Sequence, residues 1–193
     1  MSMVYCLRRA SDASLAALLE RPDHIFAFVE AENTSVVSEA PGLLARLFGG
    51  KLDPVPDFAR SDGDEADLDK AWHAIHFVLT GSPDATRRPL SLIVEDWPSI
   101  GTKDEHALGK GPAHAVGARA MARFHEELSR VNDDQLRLRY DVEDMAAHDV
   151  YHADELLQDI DHGWRYVRDH IDTLRGFAAG AAAAGSGAVV WFG

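Results

Sequence analysis

The clearest hydrophobic pattern lies between Leu68 and Gly81, where the sequence reads LDKAWHAIHFVLTG. At 100° per residue its apolar positions fall on one continuous arc, which predicts a helix. The arc consists of Leu68, Ala71, Trp72, Ile75, Val78 and Leu79. Phe77 projects from nearly the opposite side, so the helix has two apolar faces. We therefore predict that it lies centrally, between other elements, and that Gly81 and Pro83 end it.

A polar strip runs between these two faces, because Asp69, His73, His76 and Thr80 follow one another at helical spacing. One interpretation is a ligand or acid–base site, in which Asp69 orients His73 and one histidine acts as base or ligand. Both histidines are then weak candidates for metal ligands. Further ligands would come from other parts of the chain, namely His114, His152 or Asp96.

The alternative interpretation is structural. Buried polar groups are nearly always hydrogen-bonded, so Asp69 would bond to His73, and His76 to the backbone or to Thr80. For a metal we favour this structural interpretation, since the sequence contains neither an HExxH motif nor a pair of cysteines. The sequence indicates no cofactor.

The remaining pattern predicts a small sheet and several helices. Apolar runs at 3–7, 90–94 and 188–192 are interpreted as strands, and the two terminal strands are expected to pair. Beyond the central helix, helical patterns cover the segments 12–20, 22–29, 118–131 and 163–184, and shorter or weaker ones cover 43–48, 133–138, 141–147 and 155–160. Residues 31–42, 50–66 and 95–111 are expected to be loops; the Asp62-Gly63-Asp64 run lacks the ligand spacing of a calcium loop.

Composition narrows the class of protein. The 193 residues suit one domain over 1–193, and 46% hydrophobic content is ordinary for a globular protein. The apolar runs are too short to cross a bilayer, the N-terminus does not resemble a signal peptide, and Cys6 is the single cysteine, so we expect a cytoplasmic protein without membrane association. A net charge of −13, from 32 acidic and 19 basic residues, disfavours nucleic acid and favours a basic protein partner.

The segment from Asp67 to Gly81 also resembles the signature of the YfbM-like family, small bacterial proteins of unknown function. The resemblance extends to the first strand, to the GPAHAV segment at 111–116, and to Val150-Tyr151. It implies one compact α/β-type domain and supplies no reaction. The chain departs from the family pattern at Glu95-Asp96-Trp97, where a Gly-Gly turn is usual, at His152, where proline is more frequent, and at Gly117, where a Thr or Ser cap is usual.

Together these features predict an α+β protein of one compact domain, with both termini in a small sheet, about six helices and a buried central helix. The first functional hypothesis is a non-enzymatic protein-binding module of the immunity or inhibitor type, whose acidic surface meets a basic partner. The second is a small-molecule binder or hydrolase-type enzyme, with or without the assistance of a metal ion. Its site would draw on Asp69, Trp72, His73, His76, Thr80, His114 and Tyr151.

Overall fold

The computed structural model describes residues 2–30 and 65–193. Within them the strands are β1 (Tyr5–Ala10), β2 (Glu65–Asp67), β3 (Ser99–Ile100), β4 (Ala113–Val116) and β5 (Gly187–Phe192). The helices are α1 (Asp12–Glu20), α2 (Ile25–Glu30), α3 (Trp72–Thr80), α4 (Ala118–Leu128), α5 (Asp133–Arg139), α6 (Val142–Ala147), α7 (Ala153–Leu157) and α8 (Ile160–Ala183). Short 3-10 turns, Pro22–His24 and Asp69–Ala71, precede α2 and α3. The expected loop at 31–42, the helix at 43–48 and the Asp62-Gly63-Asp64 run lie outside the described residues.

The five strands form one antiparallel sheet in the order β2-β1-β5-β4-β3. The first and last strands pair along their whole length, from Tyr5 opposite Phe192 to Ala10 opposite Gly187. This confirms the prediction that the terminal strands lie side by side. It also places both ends of the chain at the centre of the fold, where β-branched and apolar residues such as Val190 are buried.

The two faces of the sheet carry separate apolar clusters because successive strand residues point to opposite sides. Leu7 and Val190 pack with α3, α4 and α8 on one face. Ala10 and Val189 pack on the other face against Leu15, Leu18, Ile25 and Phe28 of α1 and α2. The sheet therefore lies between two helical layers, and the chain is an α+β domain, as predicted. The described residues contain eight α-helices, where the sequence predicted about six.

Helix α3 is the internal helix that the sequence predicted. Ile75 and Val78 are fully buried, and every residue from Ala74 to Leu79 belongs to the interior. Trp72 meets Phe192 of the sheet with ring centroids 4.8 Å apart, while Phe77 faces His148 beyond α6 at 6.1 Å. Neighbours therefore contact the helix from both sides. Gly81 ends it in the left-handed conformation, with φ 72°, and its N–H donates to the Phe77 carbonyl.

The strand predicted at 90–94 is wrong. Ser91 folds this segment back on itself: its hydroxyl accepts from the Thr86 N–H at 3.2 Å and donates to the Val94 carbonyl at 3.0 Å. Leu92 and Ile93 are buried as loop residues. Side-chain bonds to the backbone have replaced the pairing that an apolar run suggests. The expected loops conversely contain two short strands, β2 and β3, and the sequence did not assign β4.

A carboxylate from another helix replaces the cap that Gly117 cannot supply. Gly117 begins α4 without a side chain, and Asp12 of α1 accepts from the Ala118 N–H at 3.0 Å. The first-turn amides of α4 therefore gain a negatively charged partner, which also complements the helix dipole. Helices α1 and α5 begin at ordinary side-chain caps, Ser11 and Asn132.

Candidate functional site

His73 is held by the backbone on both sides of its ring. Its Nδ1 accepts from the Tyr151 N–H at 2.9 Å, and its Nε2 donates to the Pro83 carbonyl at 2.9 Å. A ring that accepts at one nitrogen and donates at the other is the neutral tautomer with a proton on Nε2. Burial lowers the pKa of His73 below its ordinary value of 6.5, against the opposing effect of the Pro83 carbonyl.

His76 lies deeper and is fully buried. Its Nε2 donates to the Asp84 carbonyl at 3.0 Å, and the Thr80 hydroxyl lies 3.5 Å from the same nitrogen. Burial lowers the pKa of His76 as well. Thr80 itself donates to the His76 carbonyl at 2.8 Å, one turn back. Both histidines therefore tie α3 to the turn at 81–84, the structural interpretation given above for His76.

The Nδ1 atom of His76 is buried and has no hydrogen-bond partner. One imidazole nitrogen inside the core does not make a metal site, because zinc needs three or four ligands. Across residues 2–30 and 65–193, no group of three His, Cys, Asp or Glu side chains is placed to hold a metal ion.

Asp69 does not orient His73, so that prediction is wrong. Its carboxylate instead accepts from the Tyr166 hydroxyl at 2.9 Å, and the same hydroxyl accepts from the Lys70 N–H at 3.2 Å. Asp69 lies in the left-handed backbone region, with a φ of 43°. Burial and the Asp69 carboxylate both raise the pKa of Tyr166 above its ordinary value, so the phenol stays protonated and donates.

A cleft of about 350 Å³ opens beside this Asp69–Tyr166 pair. His152, Glu155 and His162 also line it, from α7 and the start of α8. His152 lies 3.2 Å from the Glu155 carboxylate and is not directed at His73. The Asp69 end of the polar strip is thus accessible to a ligand, whereas His76 is closed off by the core.

Trp72, His73 and Tyr151 come together as a stack that joins α3 to the chain's first residues. The Trp72 ring lies parallel to His73 at 4.7 Å and close to parallel to Tyr151 at 5.6 Å. Met3 is held at both backbone atoms: its N–H donates to the Tyr151 hydroxyl at 3.0 Å, and its carbonyl accepts from the Trp72 indole at 3.2 Å. These aromatic residues hold the first strand in place.

The remaining candidate ligands lie elsewhere. His114 is on β4, directly opposite Val190 of β5, and its Nδ1 donates to the Trp97 carbonyl at 3.0 Å. Asp96 lines a separate cleft near α4. The prediction that His114, His152 or Asp96 completes a metal site with the α3 histidines is wrong for the described residues, where no three such side chains are grouped to hold an ion. The residues that we predicted to form one site therefore belong to several separate hydrogen-bond networks.

The largest concentration of charge lies in the segment 141–161, which we call the acidic segment. It contains eight carboxylates and no lysine or arginine. All eight are exposed: Asp141, Glu143, Asp144, Asp149, Asp154, Glu155, Asp159 and Asp161. Its helices α6 and α7 pack on each other, and α7 packs on α8, so the charges share one region of the surface. The segment carries no recognisable motif, and its signal in the sequence is the local density of carboxylates.

Two apolar side chains are exposed within the acidic segment. Leu157 is 36% exposed and Ile160 is 44% exposed. The surface therefore combines negative charge with exposed apolar side chains. Protein interfaces commonly place apolar residues at their centre and polar or charged residues at their rim. Three of the eight carboxylates have a basic neighbour among the described residues: Arg137 lies 3.5 Å from Asp161, His148 lies 3.1 Å from Asp144 and His152 lies 3.2 Å from Glu155. The Arg137 pair is solvent-exposed and contributes little.

The fold and these contacts define a small α+β protein with a hydrogen-bonded polar strip, an accessible cleft and a strongly acidic outer segment. None of the helices in the described residues has the length and apolar character needed to cross a bilayer. The chain belongs to the family described as Domain of unknown function (DUF1877), whose model matches residues 1–191. The family resemblance seen in the sequence is thereby confirmed.

One solved structure is similar over nearly the whole chain: the crystal structure of a protein of unknown function, YfbM, from Escherichia coli. The two share 17% identity with a TM-score of 0.61, over 98% of this chain and 99% of that chain. At this identity the likeness shows a common fold. The chain matches none of the curated proteins.

Proposed function

We propose that this chain is a non-enzymatic, cytoplasmic bacterial protein that binds a basic protein partner through the acidic segment 141–161. The observation that carries the proposal is the placement of eight exposed carboxylates in 21 residues without one lysine or arginine. Such a surface raises the association rate of a positively charged protein and disfavours acidic competitors. The exposed side chains of Leu157 and Ile160 supply apolar contacts, which slow the dissociation of a complex that electrostatic attraction has brought together. An immunity- or inhibitor-type role is the most concrete form of this function.

The histidine geometry supports a binding role over catalysis. A general base needs a free nitrogen within reach of substrate, and both ring nitrogens of His73 are engaged by the backbone. His76 has no exposed surface through which substrate could reach it. The hydrolase form of the second hypothesis therefore gains no support at these two residues.

The test replaces three exposed acids that neither cap a helix nor form an ion pair among the described residues. Glu143→Gln, Asp149→Asn and Asp154→Asn together remove three charges from the acidic segment. The matched control, Glu20→Gln with Asp104→Asn and Glu105→Gln, removes the same charge from other exposed positions. Tagged full-length proteins are incubated with lysate of the source cells at low salt and again at high salt, and captured proteins are identified by mass spectrometry.

We expect the wild type and the control to capture the same basic protein at low salt, with loss at high salt, because exposed charge pairs are screened. The acidic-segment variant should fail to capture it. Capture of the same proteins by both triple variants, or no basic protein at either salt concentration, would overturn the proposal.

A second candidate function, small-molecule binding, is supported at Asp69 by the 350 Å³ cleft beside Tyr166. Clefts of this size accept small ligands when a few polar groups converge on them. A thermal-shift screen of metabolites on the wild type, Asp69→Asn and His76→Gln shows whether a ligand binds at the Asp69 end or at the His76 end of the polar strip. A ligand whose stabilisation disappears in Asp69→Asn alone supports this candidate; one that disappears only in His76→Gln contradicts it.

A further inference from the structure

A second cleft, of about 380 Å³, lies between the loop at 87–97 and helix α4. Three arginines line it: Arg87 and Arg88 from the loop and Arg123 from the exposed side of α4. Trp97 and Leu92 form an apolar wall of the same cleft. The protein has a net charge of −13, so three guanidinium groups around one cleft form a locally basic site on an otherwise acidic protein.

These arginines differ from four others in the described part of the chain. Arg130, Arg137, Arg168 and Arg175 each form an ion pair with a nearby carboxylate. Within residues 2–30 and 65–193, Arg87, Arg88 and Arg123 form none. The positive charge that they bring to the cleft is therefore not neutralised by a fixed ion pair.

The loop that carries two of them is held in place by its own side chains. Arg87 has a left-handed backbone, with φ 56°, which is uncommon for a residue with a side chain. Its N–H donates to the Glu95 carboxylate at 2.9 Å, so Glu95 is committed to the loop backbone. Ser91 closes the same turn through Thr86 and Val94. This backbone order reduces the conformational entropy that ligand binding would cost.

The apolar wall is also fixed in orientation. The Trp97 indole N–H donates to the Leu92 carbonyl at 2.9 Å, and Leu92 is buried. The Trp97 ring is only partly buried, so it leaves apolar surface available to the cleft. Arginine suits phosphate because its planar, forked donors match the phosphate oxygens. Glu95 and Asp96 also line the cleft, so its lining carries three positive and two negative charges, and Glu95 already accepts from the Arg87 N–H.

We propose that this cleft binds a small organic phosphate monoester, with the phosphate among Arg87, Arg88 and Arg123 and a flat apolar body against Trp97. The site is separate from the acidic segment and does not depend on the function proposed above. Its ligand class follows from the local charge and shape: a dianionic group for the arginines, joined to a planar group for the indole.

The probe is phenyl phosphate, titrated into the full-length protein by isothermal calorimetry at low salt. Inorganic phosphate and phenol are the matched partial probes, because each carries one half of the proposed recognition. Arg88→Gln and Arg123→Gln test the role of the positive charge. Both side chains are exposed and form no ion pair with described residues, so we expect both variants to fold. Arg119→Gln is the control, an exposed arginine on the same helix that does not line the cleft.

We expect saturable binding of phenyl phosphate that weakens by about tenfold or more in Arg88→Gln and Arg123→Gln, as the loss of a charge-assisted hydrogen bond implies. Arg119→Gln should bind as the wild type does, and both partial probes should bind more weakly. Absence of saturable binding by the wild type, an unchanged affinity in both cleft variants, or phenol binding as tightly as phenyl phosphate would each overturn the proposal.

Discussion

Replacing His76 by glutamine should change how the stability of the protein depends on pH. His76 is fully buried, and its pKa is lowered, chiefly by burial. The folded state therefore binds fewer protons at this residue than the unfolded state, where the pKa returns to about 6.5. Stability from the neutral ring is present above that pH and is lost as the pH falls towards the lower, folded pKa.

The magnitude follows from proton linkage. A histidine that is neutral when folded and protonated when unfolded contributes a slope of at most about 1.4 kcal/mol per pH unit to the free energy of unfolding. His76→Gln keeps an N–H donor for the Asp84 carbonyl but has no proton to exchange. We expect the variant to lose about 1–3 kcal/mol at alkaline pH, from imperfect geometry and packing, and to show a shallower slope below pH 6.5.

Urea unfolding, followed by tryptophan fluorescence from about pH 5 to about pH 8, measures both quantities. His162→Gln is the matched control for a His→Gln substitution at an exposed position, at the start of α8. Equal slopes for the wild type and His76→Gln below pH 6.5 would refute the claim that His76 is held neutral by burial.

Three further substitutions test the packing around α3 and the sheet. Ile75→Ala should cost about 2–5 kcal/mol in urea unfolding, because it removes a fully buried side chain and leaves a cavity in the core. Tyr166→Phe should cost about 1–3 kcal/mol by the same measurement, since Asp69 loses its hydroxyl donor. Gly187→Ala should lower the melting temperature sharply, because an added Cβ would lie 2.1 Å from the Val116 carbonyl oxygen in the paired strand β4; an unchanged melting temperature would contradict that close approach.

The central helix could be predicted because its signal is local and two-sided. Ile75 and Phe77 lie on different faces of one short segment, and only an interior position buries both. The pairing of the terminal strands could also be predicted, because both segments are apolar and rich in residues that favour strands. These features depend on periodicity and composition, which sequence displays directly.

The partners of the polar strip could not be predicted in the same way. Asp69 bonds to Tyr166, 97 residues away, so spacing along one helix could not reveal it. The run at 90–94 became a loop through the Ser91 hydroxyl, a contact that hydrophobic pattern does not encode. The arginine cleft likewise depends on Arg123 of α4 lying beside the loop that carries Arg87. Each of these features is tertiary, and each decides where a ligand has access.

Hydrogen–deuterium exchange of the full chain, with and without its captured basic partner, tests the central claim most directly. We expect slower backbone exchange within 141–161 on complex formation, and little change at 72–80, where the histidines are already buried. Protection confined to the loop at 87–97, with the acidic segment unaffected, would contradict the assignment of the binding surface.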